Sequence, residues 1–219
     1  MHKRPLSRFL KKHTLFLFLC LATVSLIVSV QSDRNEVQVP GFDPALDGSC
    51  TSILVGKLAT VDGSVITSQT CDGNYRTWMR MVPARDHKKG AKVKIYKGLM
   101  HTEFPGDKRK VEVMGEIPQV SHTYAFLDTA YPAMNEHQLA IGESTVGGRK
   151  ELRSKRGLFY VEELERLALE RTRTALDAVK LIGALAEKYG YVDGGEALTI
   201  ADPKEVWHLE ILGPGKGEL

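Results

Sequence analysis

The stretch CTSILVGKLATVDGSVITSQTCDGNYRTWMRMVPA, Cys50 to Ala84, decides how the rest of the chain is read. It opens on two β-rich runs, CTSILVG and SVITSQ, separated by Lys57 to Gly63. β-Branched residues suit a pleated, half-buried chain. Asp62-Gly63 supplies residues that tolerate the positive φ of a tight turn. The two runs predict an antiparallel β-hairpin.

On the N-terminal side the texture changes at once. Residues 33–49 (DRNEVQVPGFDPALDGS) hold two Pro, two Gly and four acids without apolar periodicity, and predict an exposed linker. Before them, residues 1–32 carry Lys3, Arg4, Arg8, Lys11 and Lys12 and no acid, followed by the 17-residue apolar run Thr14 to Val30. A basic n-region and an apolar h-region predict a secretory signal peptide. Cleavage after Ser32 and retention as an N-terminal anchor are both compatible with it. Cys20 follows Leu17, Phe18 and Leu19, whose bulk does not suit a lipid-modification site.

The charge balance follows the same division. The 219 residues carry 30 Lys+Arg and 27 Asp+Glu, a net of +3. Without the five leader cations, 25 basic residues face 27 acidic ones, a net of −2. The basic pI near 8.7 therefore belongs to the leader, and a nucleic-acid-binding role loses its electrostatic basis. Hydrophobic residues at 42% exclude disorder for most of the chain, and three cysteines are too few for a disulfide scaffold.

On the C-terminal side, further strands are predicted at Thr77–Val82, Val93–Tyr96, Val111–Ile117, His122–Leu127, Gln138–Glu143, Ala197–Ala201 and Val206–Leu212. Helical period is confined to Leu158–Tyr189. Leu164, Leu167, Ala168 and Arg171 begin one amphipathic helix; Ala175, Ala178, Val179, Ile182, Leu185, Ala186 and Tyr189 follow the i, i+3, i+4 rule for a second. Thr174 with Asp177 resembles a capping box, and Gly190 fits the stop. Strands, a helix pair, then strands make an α+β protein with antiparallel sheets.

Cys50 stands where linker meets first strand. A buried structural cysteine is one reading. The other is a nucleophile exposed by a cut between Ser49 and Cys50. An α-amine of pKa about 7.7–8.0 then lies beside a thiol of about 8.5 and accepts its proton without a histidine. Metal motifs are absent: the seven histidines form no i, i+4 pair and no Cys-x-x-Cys occurs. His122 and His208 read as ordinary strand histidines, and Gly147-Gly148-Arg149 lacks the continuation of a phosphate loop.

The Cys50–Ala84 stretch resembles the start of the dipeptidase A family of N-terminal-nucleophile cysteine peptidases, related to secernins and distantly to penicillin V acylase and bile-salt hydrolases. The resemblance continues in MNEHQLAIGESTVGGRKEL, Met134 to Leu152, and in GEALTIADPKEVWHLEILGPGKGE, Gly195 to Glu218. It implies a four-layer αββα sandwich and three site residues. Cys50 resembles the mature nucleophile. Asp72 resembles the aspartate that orients amine and thiol, against a plain turn aspartate before Gly73. Asn135 resembles an oxyanion-hole donor, against an ordinary loop asparagine. Arg76 and Glu143 lie in matching segments and are candidates to hold the termini of a peptide. Asp202 matches a site asparagine of the acylases loosely and reads equally as a turn with Pro203. Cys71 is expected as a neighbour of Cys50 whose disulfide with it would silence the nucleophile, and His137 keeps a Cys–His dyad conceivable.

Relatives of this family place an arginine shortly before the aspartate, where this chain has Ser68, Gln69, Thr70 and Cys71; that favours the dipeptidase branch over the acylase branch. They are also longer. Residues 50–219 are therefore expected to be the N-terminal part of the peptidase domain, with little activity alone. The resemblance implies an exported cysteine dipeptidase, secreted or periplasmic; an acyl-amide hydrolase of the same fold and an inactive truncated fragment are the alternatives. A dipeptide or short peptide is the expected partner. No cofactor, metal or nucleic acid is expected, the membrane enters only through an uncleaved leader, and a homo-oligomer is left open.

Overall fold

The computed structural model describes residues 50–147 and 150–213. The signal peptide expected over 1–32, the linker over 33–49 and the tail beyond 213 lie outside the described residues. Strands β1 (Thr51–Val55) and β2 (Ile66–Thr70) form the expected hairpin, with Thr51 opposite Thr70 and Val55 opposite Ile66. In the connecting loop the Asp62 carboxylate accepts from Ser64 N–H and Gly63 takes φ 76°, the conformation that favours glycine there.

Next come β3 (Arg80–Val82), β4 (Arg85–Asp86), β5 (Lys92–Lys97), β6 (Glu112–Pro118), β7 (His122–Thr123), β8 (Phe126–Asp128), β9 (Met134–Asn135) and β10 (Ala140–Gly147). Helices α1 (Val161–Arg171) and α2 (Ala175–Tyr189) lead to β11 (Gly195–Ala201) and β12 (Val206–Ile211). Six strands make one sheet in the order β12-β11-β10-β9-β8-β3, antiparallel throughout. β5 pairs with β6 and β4 with β7 in separate ribbons. The α+β, antiparallel expectation is met.

Several strand boundaries differ from the expected ones, each for a local reason. Thr77–Val82 pairs only from Arg80, because Trp78 donates its indole N–H to the Thr102 carbonyl at 3.0 Å instead of entering a ladder. The run His122–Leu127 breaks in two. Tyr124 N–H turns to the Glu170 carbonyl and Ala125 N–H to the Glu136 carboxylate, both at 2.9 Å, so neither serves a neighbouring strand. β10 starts at Ala140 because Gln138 adopts φ 61° in the preceding turn.

Helix α2 begins and ends as expected. Thr174 caps it by accepting from Asp177 N–H at 3.2 Å, and Gly190, at φ 82°, closes it with its N–H on the Ala186 carbonyl. Leu164 and Leu167 of α1 and Ile182 of α2 are fully buried with Leu198 and Ile200 of β11. On β11, Thr199 instead meets Thr67 of β2, hydroxyl to hydroxyl at 3.3 Å. β11 is thus buried at every position, with helices on one face and the hairpin against the other. Among the described residues no helix is long and apolar enough to cross a membrane.

Candidate active site

The hairpin register places the site. With Thr51 opposite Thr70, the residues just outside, Cys50 and Cys71, lie side by side at its open end. Both thiols are free and half-buried, and their sulfurs are 3.9 Å apart. Glu143, in the middle of β10, reaches the pair: Cys71 Sγ donates to Glu143 Oε1 at 3.4 Å, and Cys50 Sγ lies 4.0 Å from the same oxygen.

Backbone hydrogen bonding explains how two elements so far apart in sequence meet. Along an antiparallel strand alternate N–H groups point to opposite edges. Ile141 N–H bonds to the Ala133 carbonyl, so Glu143 N–H points to that same edge, where β9 has already ended. The side-chain oxygen of Gln69, from β2, accepts it in place of a strand. The approach is close because residue 142 is glycine: a Cβ there would press on the Gln69 side chain and come within 2.8 Å of the Thr199 hydroxyl.

The surroundings are acidic. Glu143 is 1% exposed and its carboxyl faces that of Glu196; both oxygens of Glu165 and the Tyr191 hydroxyl have no hydrogen-bond partner among the described residues. Burial raises the Cys71 thiol above the usual thiol range, and the charges of Glu143 and Cys50 add to it. Burial, then the neighbouring Glu143 carboxyl, pushes Glu196 up to about 9. Glu162 is pushed up to about 8 by burial and the charge of Glu163. Glu165 rises well above the carboxylate range for the same first reason, with Glu143 next.

A cavity of about 360 Å³ adjoins this cluster. Its acidic wall is Glu162, Asp193 and Glu196, and Lys97 and Arg153 supply cations. Tyr75 and Tyr131 also line it, edge to face at 5.3 Å, and both interact with Cys71. The cavity thus sets three acids and two cations beside the tyrosines that interact with Cys71.

The other expected residues are distributed as follows. Asp72 directly follows Cys71 and is exposed. Asn135 is buried, and both its amide protons are spent, on the carbonyls of Leu169 (2.9 Å) and Thr172 (2.8 Å). As placed it has none left for an oxyanion. Arg76 is not free to hold a peptide terminus: it is bonded to the Asp128 carboxylate and the Thr129 carbonyl and lies over Trp78 at 3.9 Å. Asp202 takes its turn role, accepting from Lys204 N–H and Glu205 N–H, and adds a bond from Ala175 N–H at the start of α2. His137 packs edge-on against Tyr124 at 4.5 Å. His122 and His208 are exposed beside Asp86 and Glu210. Of the expected residues, then, Cys50, Cys71 and Glu143 come together. Glu162, Glu165 and Glu196 were not anticipated. Their signal was acids inside apolar period, EELERLALE on α1 and GEALTIA on β11.

Dipeptidase A of Lactobacillus helveticus is 27% identical over 179 residues, which cover 75% of this chain and 36% of that protein. A probable dipeptidase of Latilactobacillus sakei is 27% identical over 176 residues, covering 75% and 35%. The chain thus spans about a third of the length of these relatives. A family model described as Peptidase family C69 matches residues 49–217, a span that takes in the hairpin, the thiol pair and the strand carrying Glu143. With all of the described residues inside that match, the protein belongs to peptidase family C69.

Proposed function

We propose that this chain is the N-terminal portion of an exported cysteine dipeptidase, directed by residues 1–32 to a secreted or periplasmic location and matured by removal of the residues before Cys50. The observation that carries the proposal is the placement of Cys50: it stands at the hairpin's open end beside Cys71 and Glu143, and Tyr75 and Tyr131, which interact with Cys71, line a cavity with acidic and basic walls. The hairpin, the six-stranded sheet and the helix pair are read as three layers of the αββα sandwich.

In the matured chain the Cys50 α-amine accepts the thiol proton, and the sulfur attacks the scissile carbonyl. The protonated amine then hands its proton to the leaving amine, leaving a thioester. Water, deprotonated by the same amine, hydrolyses the thioester and restores the thiol. Asp72, which follows Cys71, and Glu143, 4.0 Å from Cys50 Sγ, are assigned to stabilise the amine when it is charged. The substrate ammonium is assigned to Asp193 on the acidic wall and its carboxylate to Lys97 and Arg153. That double charge requirement favours a dipeptide over an acyl amide. Asn135 is assigned a positioning role.

N-terminal mass spectrometry of the expressed polypeptide tests the maturation: a start at Cys50 is expected, and an N-terminus that keeps Cys50 in an amide defeats the mechanism. In the longer protein of which this chain is the N-terminal portion, dipeptide hydrolysis should fall about a thousandfold in Cys50→Ala. Retained hydrolysis in that variant, or faster turnover of acyl amides than of dipeptides, overturns the assignment.

A further inference from the structure

The two thiols and the carboxylate at the hairpin's open end are ligand types chosen by borderline-soft divalent metals. Cys50 Sγ and Cys71 Sγ are 3.9 Å apart, and Glu143 Oε1 lies 3.4 Å from Cys71 Sγ and 4.0 Å from Cys50 Sγ. A tetrahedral zinc ion, with Zn–S about 2.3 Å and Zn–O about 2.0 Å, spaces two sulfurs about 3.8 Å apart and a sulfur and an oxygen about 3.5 Å apart. The three separations agree with that geometry to within about 0.5 Å.

The ligands are also held before any ion arrives. The register Thr51–Thr70 fixes the two cysteines, and the Gln69 bond to Glu143 N–H fixes β10 against them. Glu143 is 1% exposed, its carboxyl faces that of Glu196, and among the described residues no lysine or arginine pairs with it. A buried carboxylate without a cation carries a large desolvation cost that a bound cation offsets.

We propose that Cys50, Cys71 and Glu143 form a binding site for a zinc-class divalent cation. On binding, each thiol gives its proton to solvent as its sulfur bonds to the metal, so up to two protons leave per ion; the carboxylate coordinates without one. A fourth position is left for water or, in a chain that starts at Cys50, for its α-amine, which closes a five-membered chelate with its own sulfur. A Cys50 sulfur committed to metal is not available to attack a carbonyl. Metal occupancy and acylation therefore exclude each other, and the site shuts the enzyme reversibly. That regulatory consequence rests on the role proposed for Cys50; the metal site rests on the geometry alone.

The test uses the full chain carrying Cys20→Ser, so that two thiols remain, kept reduced by a phosphine. Cobalt(II) is titrated through its thiolate charge-transfer absorption, and zinc by competition with a chromophoric chelator. One ion per chain is expected, with both thiols protected from alkylation. Affinity should fall about 100-fold in Cys71→Ser and at least about 10-fold in Glu143→Gln, with circular dichroism unchanged. If Cys71→Ser unfolds, Glu143→Gln and the alkylation protection carry the decision. Absence of the charge-transfer band, or variants that titrate like the parent, overturns the site. Because these readouts do not use turnover, a dipeptidase assay can fail while the site stands, and the reverse.

Discussion

Asn135 shows how one side chain can hold two elements in register. It lies at the end of β9, and its Oδ1 accepts from His137 N–H at 3.0 Å and Leu139 N–H at 3.2 Å, shaping the turn that returns as β10. Its amide protons meet the carbonyls of Leu169 and Thr172, at the end of α1 where carbonyls lack intrahelical partners. Replacing it with alanine strands two buried carbonyls and two N–H groups. Asn135→Ala should cost about 3 kcal/mol, read as a lower urea midpoint at unchanged slope. Asn135→Asp should cost nearly as much, since it keeps the acceptor and loses both donors. A loss under about 1 kcal/mol in either would mean the turn is held by something else. The residue type and its Met-Asn-Glu setting were legible in the sequence. Its bonding was not, because the two carbonyls are 34 and 37 residues away and no local pattern encodes them.

At the scale of elements, helix α2 is where local sequence and tertiary structure act together. Thr174 caps it with one bond, while Asp202 accepts three backbone N–H groups, from Ala175 at 2.8 Å, Lys204 at 2.7 Å and Glu205 at 3.1 Å. Thr174→Ala should therefore lose about 1 kcal/mol. Asp202→Ala should lose about 2–3 kcal/mol, because it frees the helix start and the turn between β11 and β12 together. Equal losses in a denaturant titration would refute the shared cap. The same comparison explains what could be read in advance. Both ends of α2 and the β1–β2 hairpin are written in adjacent residues: a cap, a stop glycine, an Asp-Gly turn. β9 is two residues long, the break at Tyr124 answers to Glu170 on α1, and the turn at Gln138 is a positive-φ residue bonded to Asn135, so periodicity could not reveal them. The site divides in the same way. Cys50 and Cys71 follow from hairpin register, whereas the meeting of Cys50 with Glu143 spans 93 residues and needed the fold.

Over the whole molecule, the acids buried around α1 make stability depend on pH in the opposite sense to ordinary surface carboxylates. Glu162, 4% exposed, is pushed up to about 8, first by burial, then by the charge of Glu163, with Asp193 facing it as well. Glu165, on the same helix, adds to the acids around it. Gly98 N–H and the helix's own backbone work against the shift. Glu163 itself is held by Arg166 at 2.6 Å. A carboxyl whose folded pKa is raised binds a proton in the native state that the unfolded chain has released. Stability from this proton is complete below about 4.5, erodes as pH rises, and is lost through about 8. The melting temperature should therefore fall between pH 5 and pH 8, by roughly 2–4 °C for each kcal/mol lost. Glu162→Gln, which keeps the size and removes the titration, should flatten that fall and stabilise the protein most at the alkaline end. Glu163→Gln provides the contrast, because it breaks the Arg166 pair and should destabilise at every pH. A parent melting temperature that stays level from pH 5 to pH 8, or a Glu162→Gln slope equal to the parent's, would show that Glu162 is ionised in the folded protein and that a cation or water, rather than a proton, meets its charge.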